Sequence, residues 1–574
     1  MLKDAQPGDD RKGRDLHGSG YVRARGAGEP QATGDRGPRA RNEGPDPAGG
    51  AGGRKDPGVG APGPEPVPLT RKVLLRLEPP RLGLNQADTD RLADALARVV
   101  GATPDIPLGV MRVIPAVCRD GEWRVTATLG RTEHGWRLVT VEPGNTVARH
   151  FGLALDLGTT TVAARLVDLA TGNVMGTAAD RNGQVSFGED ILTRIHLAGT
   201  PEGLRELQRA ALDTVNGLVH RLARAAGITG HAVTAVAVAA NTTMVHLLLG
   251  LDPSNICREP YIPAVNRPGF LRAGEIGLAV HPEAVVYCLP GVGSYLGGDA
   301  VGGILVSGMH RGPELSLFVD IGTNGEIVLG NKEWLVACAG AAGPALEGGV
   351  VRAGMMALPG AIERVRIDPR TRRVTNRTIG DLPPLGLCGS GLVDCLAEML
   401  LAGIVDRSGR FTDGADHFTV VPARDSGTGR DIVITQTDIA NLLRTKAAVT
   451  AALETLLDAV GCRLQDIACF YAAGAFGQHL DVESAITIGL YPDLPRDRIV
   501  RLGNSALEGA RRVLLSGQDL REVEEIARRV TYFELNVNQE FMQRFAGSRF
   551  MPHTDLDLFP TVKARLAARG LATA

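Results

Sequence analysis

Aromatic residues are scarce in this chain: Phe, Trp and Tyr make up 4% of its 574 residues. That leaves little material for the stacking platforms that grip single-stranded nucleic acid. Charge of one sign is missing too. The formal balance is −2, which argues against a phosphate-backbone surface as the main partner. The eight cysteines stand singly at 118, 257, 288, 338, 388, 395, 462 and 469, with no Cys-x-x-Cys. This suits reduced thiols in a cytoplasm better than a disulfide framework or a zinc site. No long apolar run occurs. The most apolar region, 233–251, is interrupted by Asn241, Thr242, Thr243 and His246. It therefore reads as strand, turn and helix, not as a membrane span. The residues after Met1 are polar, unlike a secretory leader.

Large side chains are also rare at the start. Through residue 66 only Leu2, Leu16, Tyr21, Val22 and Val59 are sizeable aliphatic or aromatic residues, among many Gly, Pro, Arg and Asp. Nothing there offsets the entropy of ordering, so 1–68 is expected to be a disordered tail. Acidic residues interleave the basic ones, which disfavours a nucleic-acid arm. A misplaced translation start accounts for the segment at least as well.

The chain as a whole is globular in composition, with 44% hydrophobic and 22% charged residues, and long enough for several cores. Residues 69–150 read as a small α+β unit that serves for docking or spacing. It has strands at 71–77, 123–129 and 136–141, and a helix over 85–100 with an N-cap candidate at Asn85 or Asp88. From 151 strands and helices alternate. The organising stretch is Leu153-Ala-Leu-Asp-Leu-Gly-Thr-Thr-Thr-Val162: a strand, a Gly-Thr-Thr-Thr turn and a second strand. The pattern returns at Leu317-Phe-Val-Asp-Ile-Gly-Thr-Asn-Gly-Glu-Ile-Val-Leu329.

Each copy sets an Asp at a strand end beside a Gly and a hydroxyl-rich turn. Backbone N–H groups of such a turn cradle phosphate, and Gly permits close approach. Asp156 and Asp320 repel phosphate directly, so they would act through Mg²⁺ or a polarised water. Further turns open helices at Asn241-Thr-Thr-Met244, Gly389-Ser-Gly391 and Leu502-Gly-Asn-Ser505, and Ala337–Gly349 is expected to run into a helix. A strand from Ala468 ends in Ala473-Gly-Ala-Phe-Gly477.

This order of features over 153–515 resembles the actin-like ATPase superfamily, in which two ribonuclease-H-like subdomains close on ATP and Mg²⁺. The resemblance divides the chain into subdomains at 151–312 and 313–560, with a C-terminal tail at 561–574. Ala154–Val162, Asn241–Gly250, Phe318–Glu326, Gly386–Leu392 and Phe550–Asp555 narrow it further. They are similar to the reductive activators of corrinoid-dependent proteins, over roughly 69–560. Such activators use ATP to drive an inactive Co(II) corrinoid to the methyl-accepting Co(I) state. The implied partners are a corrinoid protein and its methyltransferase, with neither nucleic acid nor membrane involved; a homodimer is left open. The iron–sulfur signature C-x₄-C-x₂-C is not found: the first cysteine is Cys118. No iron–sulfur cluster is therefore expected in this chain. Either a separate ferredoxin-like donor supplies the electron, or the reading frame begins after the iron–sulfur segment.

The resemblance assigns catalysis to Asp156, Asp320 and Asn241, with both aspartates toward Mg²⁺ and Asn241 toward the attacking water. It assigns nucleotide contacts to Gly158, Thr159, Thr160 and Thr161, and to Gly322, Thr323, Asn324, Gly325 and Glu326. Gly389, Ser390 and Gly391 would touch nucleotide or partner, Lys446 adenine or ribose, and Gly474, Ala475, Phe476 and Gly477 the adenosine side. Ordinary turn, cap and core roles compete at each position. They are preferred for Asp299, as a cap, for His246, as a packed histidine, and for Cys338 and Cys388, as buried thiols. Two other activities share the fold: an activator of 2-hydroxyacyl-CoA dehydratases, marked by a brown, cluster-bearing dimer, and a small-molecule kinase or regulatory ATPase, the kinase marked by a phosphorylated metabolite.

Overall fold

The computed structural model describes residues 68–571, except 323, 324, 341, 342, 536 and 537. The expected disorder of residues 1–67 lies outside the described residues. The first unit is the antiparallel sheet Thr70–Arg76, Arg124–Thr132, Gly135–Pro143, in that order. Helices Asp88–Val100 and Ile114–Asp120 share its core through Leu92, Leu96 and Ile114. The first helix departs from expectation at its start. Ala87 is the N-cap, without a side-chain bond, and Asp88 and Asp90 lie in the first turn, where the helix dipole favours acids. Thr70 Oγ1 and His150 Nε2, 2.9 Å apart, tie this unit to the chain entering strand Phe151–Leu157.

Two six-stranded sheets come next, and five strands of each share one plan. In the first, Val174–Arg181, Thr161–Asp168 and Phe151–Leu157 form an antiparallel meander, and Val233–Ala240 and Val285–Cys288 continue it in parallel. In the second, the meander is Leu335–Gly340, Gly325–Gly330 and Ser316–Ile321, continued by Cys469–Ala473 and Ile499–Gly503. One further strand flanks each: Phe270–Arg272 and Val530–Tyr532. These are the two ribonuclease-H-like subdomains expected from the sequence.

Strand alternation decides how the sheets meet. Leu153, Leu155 and Leu157 enter a core shared with helix Pro201–Ala225, while Ala154 faces the other way. In the second sheet Leu317, Val319 and Ile321 enter one core and Phe318 the other. Ala154, Ala235, Ala237 and Phe318 share a single core with helices Gly298–Ser307 and Ser505–Leu515. That helix pair joins the subdomains. Its axes approach closely because both are glycine at the crossing: a Cβ on Gly509 would lie 2.6 Å from the Cα of Gly302.

Residues 344–460 carry a separate small sheet, a hairpin, and helices Gly389–Leu401 and Gln436–Ala459 on the opposite face of the second sheet. The helix expected within 337–349 is replaced by strand Leu335–Gly340 and a short 3₁₀ turn, Pro344–Glu347. Pairing with Gly325–Gly330 on one side and Val530–Tyr532 on the other outweighs the helical preference of alanine there. Past the expected boundary at 560 the chain is not a loose tail: helix Pro560–Ala568 buries Val562 and Leu566 in the core. Among the described residues no helix is long and apolar enough to cross a membrane.

Candidate functional site

In the two meanders, strands Phe151–Leu157 and Ser316–Ile321 are each buried at every residue but one. The exceptions are Asp156 in Phe151–Leu157 and Asp320 in Ser316–Ile321, each next to last. By strand alternation both lie on the face toward the joining helix pair, Asp156 with Ala154 and Asp320 with Phe318. Asn504 connects the two sides. It caps helix Ser505–Leu515, its Oδ1 accepting from the Leu507 N–H at 2.8 Å, which turns its Nδ2 to donate to Asp156 Oδ2 at 2.7 Å. Its neighbour Gly503 pairs with Ala473, and Ala473 with Asp320. Two strand spacings, about 10 Å, therefore separate Asp320 from the residue beside Asn504. The second sheet thus presents Asp320 and the partner of Asp156 along one row.

A third acid completes the group. Asp299, in the first turn of helix Gly298–Ser307, acts electrostatically on Asp156. Burial pushes the Asp156 carboxyl up to about 7; the Asn504 bond opposes the rise and Asp299 adds to it. Burial likewise pushes Asp299 up to about 6, against the N–H of Ala300. Gly474 closes the other side. Its φ is +86°, and a Cβ there would stand 2.6 Å from Asp320 Oδ1, so a side chain is excluded both by backbone conformation and by space.

The first turn is held from below. Asn241 caps helix Thr242–Leu249 through the Met244 N–H and donates Nδ2 to Thr159 Oγ1 at 3.1 Å. Thr242 donates to the Gly293 carbonyl at 2.6 Å. Gly158 and Thr160 are half-buried and Thr161 is exposed. In the second hairpin Gly322 precedes Thr323 and Asn324, which lie outside the described residues. Gly325 and Glu326 begin the next strand, Glu326 directly opposite Asp320. Gly474 to Gly477 open the short helix Gly474–His479, so the strand from Cys469 runs into a helix start. The side chains of Ala475 and Phe476 lie outside the described ones. Gly389, Ser390 and Gly391 are the buried first turn of Gly389–Leu401, with Gly391 pressed on the Ile362 carbonyl.

Lys446 is a correction. It is fully buried, and its ammonium donates to the carbonyls of Ser548 at 2.8 Å, Phe550 at 3.1 Å and Pro552. Burial, opposed by Glu454, lowers it to about 7. An ammonium committed to three carbonyls pins the chain near 550; it is not offered to adenine or ribose. His246 is a packed residue, its ring between the Thr242 carbonyl at 2.7 Å and the Ala264 N–H at 3.0 Å. Cys338 and Cys388 are buried, and burial raises the Cys338 thiol well above its ordinary range.

Sequence reasoning missed Asn504 and set Asp299 aside as a cap. The signal for Asn504 was present in Leu502-Gly-Asn-Ser505, a cap residue directly after a strand at the end where the aspartates sit. Among the described residues no three His, Cys, Asp or Glu side chains converge to hold a metal. Mg²⁺ does not require a cage of that kind. It keeps waters and phosphate oxygens and needs one or two carboxylates, which half-buried Asp156 and Asp320 fit.

Paired sheets of matched strand order, acidic at corresponding strand ends and joined by two helices, define an actin-like (ASKHA) ATPase fold. Family models match consecutive stretches: the RACo linker region at 65–148, the RACo middle region at 151–312, and the C-terminal domain of RACo, the ASKHA domain, at 314–563. The chain belongs to the RACo family of reductive activators of corrinoid proteins. It is 31% identical over 431 residues to the corrinoid activation enzyme RamQ of Eubacterium limosum, covering 72% of each chain. It is 26% identical over 414 residues to the [Co(II) methylated amine-specific corrinoid protein] reductase of Methanosarcina barkeri, covering 66% of this chain and 73% of that one. The solved reductive activator for a corrinoid, iron–sulfur protein superposes with a TM-score of 0.81 at 42% identity, covering 87% of this chain and 82% of the other.

Proposed function

We propose that this chain is an ATP-driven enzyme that returns an inactive Co(II) corrinoid protein to Co(I) for methyl transfer. Family membership supports the reaction class, and the site supports the driver. The observation that carries the reading is the Asp156–Asn504 contact between subdomains. It joins one acidic strand end to the row that bears the other.

When bound, ATP with Mg²⁺ supplies the free energy of binding and hydrolysis. Asp156 and Asp320 would hold the cation, directly or through water. The turns at Gly158–Thr161 and Gly322–Glu326 would present N–H and hydroxyl groups to the phosphates, with Gly474–Gly477 on the adenosine side. Asn241, fixed by its own cap bond, would orient the attacking water. Closure of the two sheets on the nucleotide alters the surface offered to the corrinoid protein. The available work is the difference in partner affinity between open and closed forms. One electron converts Co(II) to Co(I), and a separate ferredoxin-like donor supplies it. The corrinoid protein's methyltransferase then uses the product. The setting proposed is cytoplasmic, and a homodimer is compatible with it.

The test is Asp320→Asn in the full chain, assayed with a corrinoid protein and a reduced ferredoxin. ATP hydrolysis and the appearance of the Co(I) absorbance should both be lost, while binding of the corrinoid protein stays detectable. Unchanged turnover would remove the metal-site assignment. A phosphorylated small metabolite formed without corrinoid protein would replace the reading with that of a kinase.

A further inference from the structure

Behind the first hairpin turn lies a buried polar network with no part in the chemistry of hydrolysis. Asn182, Gln184 and Arg194 are 1%, 0% and 0% exposed. Asn182 Nδ2 donates to the Gly158 carbonyl at 2.9 Å, and Arg194 Nη1 to the Thr159 carbonyl at 2.7 Å. The Asn182 N–H donates to the Thr160 carbonyl at 2.8 Å. Three consecutive carbonyls of the turn are thus drawn to one side. In a trans peptide the N–H points opposite to the carbonyl it is joined to. The N–H groups of residues 159, 160 and 161 therefore face away from the network, the arrangement of an anion-binding nest.

Arg194 is more than a donor of hydrogen bonds. Its Nε donates to the Gly188 carbonyl at 2.8 Å, Nη1 also lies 3.4 Å from Gln184 Oε1, and Nη2 has no hydrogen-bond partner. All of these acceptors are neutral. Asp190 acts on the guanidinium without an ion-pair contact, and Arg181 opposes it. Burial lowers Arg194 to about 10, which leaves it charged at neutral pH. A core-filling role alone would be met more cheaply by a neutral donor, because a buried charge without an ion-pair contact is costly. The charge lies one peptide behind a row of outward N–H groups.

We propose that Arg194 is a positioning residue for the triphosphate: its charge, which no ion-pair contact neutralises, draws anionic oxygens to the first turn, and with Asn182 it holds the turn's N–H groups toward them. This rests on the proposed nucleotide site. It adds a source of anion affinity that touches no ligand.

The discriminating variant is Gln184→Glu, which sets a carboxylate against Arg194 Nη1 and cancels the charge while leaving the guanidinium in place. Titration calorimetry on the full chain with Mg²⁺ compares ATP with adenosine. Gln184→Glu should weaken ATP about tenfold or more and leave adenosine unchanged; it also gives up the bond from Gln184 Nε2 to the Leu207 carbonyl at 2.8 Å, so a lower thermal midpoint is expected whatever the role of the charge. Arg194→Met should act in the same direction, and Arg194→Lys should regain most of the affinity. A folded Gln184→Glu or Arg194→Met that binds ATP within about twofold of the parent overturns the inference. So does an equal loss for adenosine, which a merely structural role would produce. Should neither neutralised variant fold, Arg194→Lys decides: near-parental ATP affinity supports the role of charge, and a tenfold loss overturns it. A parent chain that binds no ATP overturns the nucleotide reading and this inference together.

Discussion

Asn504, at the head of the helix that follows strand Ile499–Gly503 of the second sheet, reaches Asp156 near the end of a strand in the first, 2.7 Å from nitrogen to oxygen. The two residues are far apart in sequence, and each is fixed by its own element. Asn504→Ala should therefore cut ATP turnover by about tenfold or more, since a hydrogen bond to a charged group contributes about 1.5–3 kcal/mol. Asn504→Asp should be worse, because it sets a carboxylate against a carboxylate. Initial rates of phosphate release check both.

The acidic group predicts a pH dependence of stability without nucleotide. Burial raises Asp156 to about 7 and Asp299 to about 6, both from an ordinary 3.8. Between about 4 and 7 the folded chain holds protons that the unfolded chain has lost, so stability falls as pH rises through that window. The thermal midpoint measured without Mg²⁺ should include a drop between about pH 5 and pH 7.5. The double variant Asp156→Asn, Asp299→Asn should reduce that drop.

Gly474→Ala should damage the site locally. The left-handed φ of +86° and the 2.6 Å approach to Asp320 Oδ1 leave no room for a methyl group. The conformational cost alone is about 1–2 kcal/mol. ATP turnover should fall further than stability does, because the carboxylate must move; rates and melting curves on the same sample separate the two effects.

Lys446→Met tests the reassignment of that lysine. Three carbonyls lose their donor in a buried place, a cost of about 3 kcal/mol or more. The thermal midpoint should fall while ATP affinity stays within about twofold. A large loss of ATP affinity in a folded variant would return Lys446 to the nucleotide.

Much of the fold was legible because hairpins and helix caps are local. Strand alternation at Leu153–Leu157 and Leu317–Ile321, the Gly158–Thr161 turn and the Asn241 cap are written in neighbouring residues. Leu335–Gly340 was less legible, since its small residues suit a helix until strands on both sides claim them. Lys446 could not be placed either. The carbonyls that bind it belong to a segment about 100 residues further on, and nothing in the sequence around Lys446 records their approach.

The sequence by itself determined the two acidic strand ends, the turn that follows the first and the family resemblance, because each depends on residues close together in the chain. Only the tertiary structure decided that Asp156 meets Asn504, that Asp299 raises its proton affinity, and that Arg194 stands charged behind the first turn. Those relations depend on how two sheets pack across a pair of glycine-crossed helices. Packing of that kind is set by long-range burial of small faces, which no local pattern encodes.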